Sequence, residues 1–330
     1  MTAPKQRTLG RTGYRVSEIG LGCWQLGGDW GALAEGQAES VLQAATDEGV
    51  TFWDTADVYG GGASEQIIGD FHQAHPNSER IIVTKAGRGG DLYPSSYTKA
   101  GLQKAIDASR KRLQVDQLDM VQLHCIPIEV IKQTEVFDWL ESFQQQGIIR
   151  HYGASVETVD DALHCINNTG VASLQLICNL LRQDMVETVI PKAKAARIGV
   201  IIRLGLASGL LSGKMQKDQV FASEDHRSYN QNGDAFFVGE TFAGLPYNTG
   251  VELAEQLKAL CPPELTLPQM ALRWLLDQPG VSSVITGASR PEQITANAAV
   301  SHLPPLPASV HKALAEFYRN QVRRHIRGAI

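Results

Sequence analysis

Short apolar runs that recur along the chain constrain the fold more than any other feature of this sequence. Eight of them are rich in β-branched residues and alternate little, as strands buried on both faces do. They span residues 19–22, 51–53, 81–84, 120–123, 151–154, 174–178, 200–203 and 283–286. Amphipathic stretches, each long enough for a helical crossover, separate the runs. This order predicts a closed parallel (β/α)8 barrel (TIM barrel), with an open doubly wound sheet as the alternative.

Several further segments add to this basic pattern. Residues 8–17 predict a β-hairpin that turns at Arg11-Thr12-Gly13 and caps one end of the barrel. The long, weakly periodic segment 214–248 predicts a functional loop over the barrel mouth. The helix signals are amphipathic stretches, capping boxes and terminating glycines, and they lie at 97–114, 158–161, 266–279, 289–292, 307–326, Gly49 and Gly147. We expect one domain over residues 1–330, with extra helices at the C-terminal end.

Composition narrows the class of protein. A hydrophobic share of 43% with 20% charged residues is typical of a globular protein, and a net charge of −5 argues against nucleic acid as a partner. The 5 cysteines are scattered and form no CxxC pair, which indicates a reducing compartment. No run reaches the roughly 18 apolar residues of a membrane span, and no signal peptide begins the chain. We therefore expect a cytoplasmic protein.

Four chemically active side chains follow the ends of predicted strands. Asp54 and Tyr59 follow the second run, Lys85 follows the third and His124 follows the fourth. The C-terminal ends of barrel strands share one face, so we expect these side chains to meet there. Lys85 would lower the pKa of Tyr59 against the effect of burial, and Asp54 would keep Lys85 charged. Tyr59 could then act as a general acid or base.

The same four residues predict a reaction class. A neutral His124 can donate a hydrogen bond to a carbonyl oxygen and stabilise the negative charge that develops on it. None of the four side chains can supply a hydride, so carbonyl reduction would need a cofactor. No metal ligand set accompanies them, because His72 and His75 lack a clear third ligand.

The chain resembles the aldo-keto reductases. The stretches that carry the resemblance are LGRTGYRVSEIGLGCWQLGG, FWDTADVYGGGASEQIIGD, IIVTKAG and DMVQLH, in that order. The resemblance implies a (β/α)8 barrel and a catalytic tetrad at Asp54, Tyr59, Lys85 and His124. It also implies NADP(H), bound extended without a Rossmann domain, and reversible reduction of aldehydes or ketones, including aldose oxidation. No G-x-G-x-x-G follows a strand, which agrees with this cofactor mode.

The resemblance also implies a set of cofactor contacts. Ser155 and Gln175 would hold the carboxamide, and Arg203 stands where family members often stack an aromatic ring on the nicotinamide. Segment 284–297 matches the family's site for the 2′-phosphate and adenine, at a helix N-terminus that favours an anion. The full set is Gly22, Trp24, Ser155, Gln175, Arg203, Gly205, Leu206, Ser208, Gly287, Ser289, Arg290, Gln293 and Asn297. We expect NADP(H) to be preferred over NAD(H).

The predicted substrate pocket is aromatic, and its substrate is a small carbonyl compound or sugar. Its residues are Trp24, Trp53, Tyr59, Tyr93 and His124, although core packing is an equal alternative for Trp24, Trp53 and Tyr93. Arg227, in the long loop, is a candidate contact for cofactor or substrate. Cys125, Asp57 and Glu65 have structural interpretations, the first as a packing thiol and the others as hydrogen-bonding groups.

Two other functions compete with the reductase hypothesis. Some proteins of this fold are cofactor-binding regulatory subunits of ion channels with incidental reductase activity, and others are metal-dependent barrel enzymes. All four tetrad positions are filled here, which favours an enzyme. The absence of a metal-ligand pattern in the sequence argues against the metal-dependent alternative.

Overall fold

Eight parallel strands close into a barrel. The structure is a computed structural model that describes residues 2–28, 30–31 and 33–330. Its strands are β1 (Gln6–Thr8), β2 (Arg15–Ser17), β3 (Ile19–Gly22), β4 (Phe52–Asp54), β5 (Ile81–Ala86), β6 (Leu118–His124), β7 (Ile149–Ser155), β8 (Ser173–Ile177), β9 (Gly199–Arg203) and β10 (Val281–Gly287). Strands β3 to β10 pair in chain order, and β10 pairs with β3 to complete the ring. The predicted (β/α)8 barrel is confirmed, and the open doubly wound sheet is wrong.

Helices follow the barrel strands and continue beyond the last of them. They are α1 (Gln37–Asp47), α2 (Ala63–Ala74), α3 (Lys99–Leu113), α4 (Ile128–Lys132), α5 (Glu135–Gln145), α6 (Val159–Asn168), α7 (Asp184–Ala195), α8 (His226–Tyr229), α9 (Tyr247–Leu257), α10 (Leu267–Leu276), α11 (Pro291–Ala299) and α12 (Ala308–Phe317). Thr158 and Asp161 form the expected capping box of α6. Gly49 and Gly147 have positive φ just after α1 and α5, as expected for helix ends. None of the described helices has the length and apolar character needed to cross a membrane.

The N-terminal hairpin closes the lower end of the barrel. Strands β1 and β2 pair antiparallel, and Leu9, just after β1, and Val16, in β2, pack with Phe52 and Ile81 at the N-terminal ends of β4 and β5. Gly10 approaches β9 closely, because a Cβ there would lie 2.2 Å from the backbone nitrogen of Gly199. Its φ of +53° also favours glycine. The predicted cap is confirmed, and it lies opposite the strand ends that carry the candidate tetrad.

Two helix predictions were wrong in detail. The predicted helix 307–326 is α12 followed by a π-helical turn, Tyr318–Val322, and a 3-10 turn, Arg323–His325. Tyr318 and Arg323 both bind Asp184, and the wider winding of the π turn brings these residues to one side. The capping box predicted at 289–292 is displaced, because α11 begins at Pro291 and its cap comes from Gln293.

The segment over the barrel mouth is partly ordered by short helical turns. It contains α8 and two 3-10 turns, Val238–Glu240 and Phe242–Gly244. Arg327, near the chain end, donates hydrogen bonds to the carbonyl oxygens of Gln231 at 2.8 Å and Leu245 at 3.0 Å. The C-terminal end of the chain therefore fastens this segment to the barrel.

Candidate functional site

A cavity of about 620 Å³ opens at the C-terminal ends of the barrel strands. Asp54, Tyr59 and His124 line it on one side, and Ser289 and Arg290, at the start of α11, line its far end. Lys85 lies beneath this wall and is completely buried. The structure thus brings the four predicted catalytic side chains together at one end of a continuous cleft.

Lys85 is the centre of this group. Its Nζ donates to Oδ2 of Asp54 at 2.6 Å, to the carbonyl oxygen of Thr55 at 2.8 Å and to the hydroxyl of Tyr59 at 3.1 Å. Burial lowers the pKa of Lys85, but Asp54 and Tyr59 more than offset this and raise it above its usual value. An ammonium group bound to a phenol and a carboxylate is therefore maintained without access to solvent.

The pKa of Tyr59 is shifted in the direction opposite to the expected one. Burial raises the pKa of Tyr59, and although Lys85 lowers it, the net shift is upward from 10.0. The reason is that the protein around the hydroxyl replaces much of its hydration, which penalises the phenolate more than one ammonium group compensates. Tyr59 is therefore protonated at neutral pH and can act as a proton donor.

His124 is held in its neutral form. Burial lowers its pKa well below 6.5, and the positive charges of Arg88, Lys85 and Arg203 lower it further. Its ring meets that of Tyr59 edge to face, with centroids 5.7 Å apart. A neutral imidazole beside a protonated phenol can present two hydrogen-bond donors to one oxygen atom.

The turn that carries Tyr59 is fixed by a close backbone contact. Gly60 has a φ of +59°, and Gly27 packs against it so tightly that a Cβ on Gly27 would lie 2.6 Å from the nitrogen of Gly60. A side chain at either position would displace the Tyr59 backbone. The two glycines therefore set the position of the phenol.

Aromatic rings cover the tetrad. The ring of Trp24 is stacked on that of Tyr59, with centroids 5.6 Å apart and an angle of 17° between the planes. Trp30 packs on Trp24 at 5.5 Å, and Phe236, from the segment over the mouth, packs on it at 6.2 Å. All of these side chains line the cavity. This end of the cleft is therefore suited to a ligand with an apolar or aromatic body.

Most residues predicted to contact a cofactor line the cavity. Gln175 donates to Oδ1 of Asp54 at 2.7 Å, and its Oε1 is buried with no hydrogen-bond partner in the described part of the chain. Other predicted contacts on the cavity wall are Gly22, Trp24, Arg203, Gly205, Leu206, Ser208, Gly287, Ser289, Arg290 and Gln293. Arg227, the loop candidate, also lines the cavity and pairs with Asp225 at 2.5 Å.

The N-terminus of α11 differs from the expectation of free backbone N–H groups. The N–H groups of Ser289 and Arg290 both donate to Oε1 of Gln293, at 2.8 Å and 3.1 Å. The exposed side chain of Arg290 has no ion-pair partner among residues 2–28, 30–31 and 33–330. An anion at this end of the cleft would therefore be met first by the Arg290 side chain.

Besides Lys85, which lies beneath the wall, four predicted site residues lie outside the cavity lining. Trp53 is completely buried behind the barrel wall, where the Arg80 guanidinium lies 4.2 Å from its ring centroid, so it is no part of the pocket. Tyr93, in the loop after β5, is 45% exposed. Ser155 is buried with its Oγ 3.5 Å from the Cys125 sulfur. Asn297 lies one turn of α11 beyond Gln293. None of these four residues lines the cavity, and burial in the barrel wall favours the core-packing alternative for Trp53.

Sequence reasoning missed a charged group on the cavity wall. Glu240 binds Arg88 at 2.9 Å and Arg203 at 3.1 Å, and all three residues line the cleft. Arg88 lies three residues after Lys85, at a strand exit, which is a signal that sequence could have used. Glu240 comes from the long segment, where no periodicity marks it. Other missed lining residues are Gln25, Trp30 and Phe236.

The structural interpretations of Cys125 and Glu65 agree with their contacts, whereas Oδ1 of Asp57 is buried without a hydrogen-bond partner in the described part of the chain. Burial raises the pKa of Cys125 to about 11, and its sulfur accepts a hydrogen bond from Arg203 at 3.3 Å. Glu65 pairs with Arg112 at 2.6 Å and accepts from Thr84. Burial and the nearby Glu65 raise the pKa of Asp57 to about 7. All three residues lie outside the cavity lining.

Comparison with known proteins places the chain among a large set of related sequences. The sequence profile of the Aldo/keto reductase family matches residues 18–319. The chain is 32% identical to YqkF, an uncharacterised oxidoreductase of Bacillus subtilis, over 96% of this chain and 98% of that protein. It is 31% identical to a probable voltage-gated potassium channel subunit beta of Arabidopsis thaliana, again over 96% and 98%. A glycerol dehydrogenase structure from Gluconobacter oxydans superposes with a TM-score of 0.77 at 25% identity, covering 99% of this chain and 97% of that one.

Proposed function

The chain belongs to the aldo/keto reductase family, and from this membership we propose that it transfers hydride reversibly between NADP(H) and the carbonyl carbon of an aldehyde or ketone. Reduction gives an alcohol, and the reverse direction includes oxidation of an aldose. The observation that carries the proposal is the contact of Lys85 with both Asp54 and Tyr59, at 2.6 Å and 3.1 Å, in the wall of the cleft.

The side chains have separate roles in the proposed reaction. Tyr59 donates its proton to the carbonyl oxygen during reduction and accepts it back during oxidation. Neutral His124 donates a hydrogen bond to the same oxygen and orients it. Lys85 stabilises the phenolate that remains after proton transfer, and Asp54 keeps Lys85 charged and in place. When bound, the cofactor supplies the hydride that none of these groups can provide.

Features of the cleft fit a nicotinamide cofactor. The unpartnered Oε1 of Gln175 can accept a hydrogen bond from a carboxamide group. Arg290, exposed at the other end, presents a guanidinium suited to a 2′-phosphate, which supports NADP(H) over NAD(H). Lys214 and Arg227 also line the cleft and can meet the other phosphates. In this proposal Ser155 and Asn297, outside the cavity lining, make contact only after a local adjustment.

The wider setting of the protein is part of the same proposal. We expect one domain over residues 1–330 that acts in the cytoplasm on a small carbonyl compound or sugar, without nucleic acid. The 31% identity to a probable potassium channel subunit supports a second candidate, a cofactor-binding regulatory subunit with incidental turnover. Stable co-purification with a membrane partner, combined with negligible turnover, would favour this second candidate.

The decisive experiment compares NADPH oxidation by the wild type and by Tyr59→Phe over a panel of aldehydes, ketones, quinones and aldoses. The variant should lose at least about 100-fold in kcat, because the proton donor is removed, while the Kd for NADPH changes little. Tyr14→Phe is the matched control, since Tyr14 lies on the hairpin at the opposite end of the barrel and bonds to Asp119. Retained turnover in Tyr59→Phe contradicts the assignment.

A further inference from the structure

Two arginines share one carboxylate beside the catalytic group. Nη1 of Arg88 lies 2.9 Å from Oε1 of Glu240, and Nη1 of Arg203 lies 3.1 Å from Oε2 of the same carboxylate. Glu240 is only 3% exposed, so this ion-pair group is largely shielded from solvent. Arg88, Arg203 and Glu240 all line the cleft.

Glu157, a second acidic residue nearby, is protonated at neutral pH and so does not neutralise the charge of the second arginine. Ligand atoms of Glu157, Glu240 and Cys125 all lie within 4.8 Å of one another. Burial and the charge of Glu240 raise the pKa of Glu157 to about 8. Burial would also raise the pKa of Glu240, but Arg88 and Arg203 overcome this and hold it at about 2. Cys125 is a neutral thiol at this pH, with a pKa of about 11.

The group therefore carries an excess positive charge on side chains that are mostly buried. Two guanidinium groups face one ionised carboxylate, and the nearby Lys85 is already paired with Asp54. Nε of Arg203 is buried without a hydrogen-bond partner among the residues that the structure describes. Excess charge and an unused donor are costly away from water. An anionic group that enters the cleft would reduce both costs.

The position of the arginines points to the substrate rather than the cofactor as the source of that anion. Arg88 lowers the pKa of His124 more than Lys85 or Arg203 does. Its guanidinium also lies 5.0 Å from the ring centroid of Phe236, in the aromatic wall over Tyr59. The cations of the long segment and of the α11 end, Lys214, Arg227 and Arg290, remain for the cofactor phosphates.

We propose that Arg88 and Arg203 form a subsite for a carboxylate on the carbonyl substrate, so that aldehydes or ketones carrying one carboxylate are preferred over neutral ones. This inference rests on the proposed function, since it assigns the substrate class of the same site. The aromatic wall would hold the body of the substrate while the arginines hold its acidic end.

Paired substrates test the proposal. The kcat/KM values for para-formylbenzoate and its neutral methyl ester would be compared in the wild type, Arg88→Gln and Arg88→Lys. Arg88→Gln should lower the value for the acid about 10- to 100-fold, mainly through KM, and the value for the ester less than about threefold. The value for the acid in Arg88→Lys should lie between those of the wild type and Arg88→Gln, because lysine keeps the charge but lacks the planar guanidinium group. Arg319→Gln, at an exposed ion pair on the outer surface, is the control. Equal losses for acid and ester overturn the proposal.

Binding measurements separate this proposal from the reaction itself. Benzoate should bind the wild type at least about tenfold more tightly than benzamide, and Arg88→Gln should remove that difference, as measured by calorimetry. Benzoate binding without turnover of any carbonyl would reject the proposed function and keep the subsite. A weakened Kd for NADPH in Arg88→Gln, with benzoate binding unchanged, would assign the arginines to a cofactor phosphate and overturn the proposal.

The pH dependence offers an independent test. Above the pKa of Glu157, about 8, that residue ionises and cancels the excess positive charge contributed by Arg88 and Arg203. The KM for para-formylbenzoate should therefore rise as the pH passes 8, whereas the KM for the methyl ester stays level. Glu157→Gln should abolish the rise for the acid. A rise of equal size in this variant contradicts the charge balance on which the subsite depends.

Discussion

The side-chain amide of Gln175 donates a hydrogen bond of 2.7 Å to Oδ1 of Asp54, whose other oxygen accepts from Lys85 at 2.6 Å. The contact crosses the barrel from β8 to β4, strands that are not neighbours in the ring. Both oxygens of this buried carboxylate are thereby satisfied, which fixes the partner that orients Lys85.

Replacing Gln175 by methionine should therefore affect both stability and turnover. We expect the free energy of unfolding to fall by about 1–3 kcal/mol in urea titrations, because one oxygen of Asp54 would be left unsatisfied. We also expect kcat to fall and the Kd for NADPH to rise, because the side-chain oxygen of Gln175 is the proposed acceptor for the carboxamide group. Gln183→Met is the control, since Gln183 is buried outside the cleft and binds the carbonyl oxygens of Leu180 and Leu314. Gln183→Met should lower the free energy of unfolding without changing kcat. An unchanged kcat in Gln175→Met would contradict the role assigned to Asp54.

The raised pKa of Tyr59 predicts the pH profile of the reaction. The pKa of Tyr59 lies above 10.0, so its proton is lost only as the pH rises past that value, and the pKa of His124 lies well below 6.5. We expect kcat for reduction to stay level between pH 6.5 and 10, and kcat for oxidation, which needs the phenolate, to increase with pH. Steady-state rates in both directions test this. A reduction rate that is halved near pH 7.5 would contradict it.

Asp57 should make stability depend on pH. Burial and Glu65 raise its pKa from 3.8 to about 7, so the stabilisation of its protonated form is complete below pH 3.8 and is lost as the pH rises to about 7. The variant Asp57→Asn does not ionise and avoids that loss. At pH 8 it should exceed the wild type in free energy of unfolding by about 1–3 kcal/mol, and the difference should shrink towards pH 4. A difference that does not vary with pH would show that Asp57 ionises normally.

The contact of Gly27 with the turn of Tyr59 should be sensitive to one methyl group. Gly27→Ala places a Cβ 2.6 Å from the backbone of Tyr59 and Gly60, so the phenol must move. A displacement of this kind can lower kcat by about 100-fold. In Gly61→Ala the new Cβ meets nothing within 4 Å, so this variant measures backbone strain at positive φ alone. Equal kcat values for the two variants would reject the positional role of Gly27.

The sequence predicted the features that depend on chain order and local pattern. The strand runs located the barrel, and the strand exits located Asp54, Tyr59, Lys85 and His124. For Trp53 the pocket and the core were left as equal alternatives, although the sequence held a signal that separates them, because successive residues of a strand point to opposite faces. Since Asp54 faces the barrel interior, its neighbour Trp53 had to face outward, where it packs on Phe71.

Features that depend on burial and on loop conformation could not be read in this way. The sequence placed the ammonium group of Lys85 near Tyr59. Only the structure shows that burial raises the pKa of Tyr59 more than Lys85 lowers it. Glu240 meets Arg88 and Arg203 from a segment without periodicity, more than 35 residues beyond either partner along the chain. The pairing of charges at the cleft could therefore be established only from the three-dimensional structure.

The acid–base residues lie on the barrel strands, whereas other cleft residues lie on the segment over the mouth, and this separation has an evolutionary consequence. Proton transfer belongs to β4, β5, β6 and the turn after β4, whereas Phe236 and Glu240 belong to a segment fastened by Arg327. Descendants of this chain could acquire new substrates by exchanging that segment, while the inherited acid–base chemistry stayed intact. Grafting residues 214–248 between paralogues should then transfer substrate selectivity as a unit.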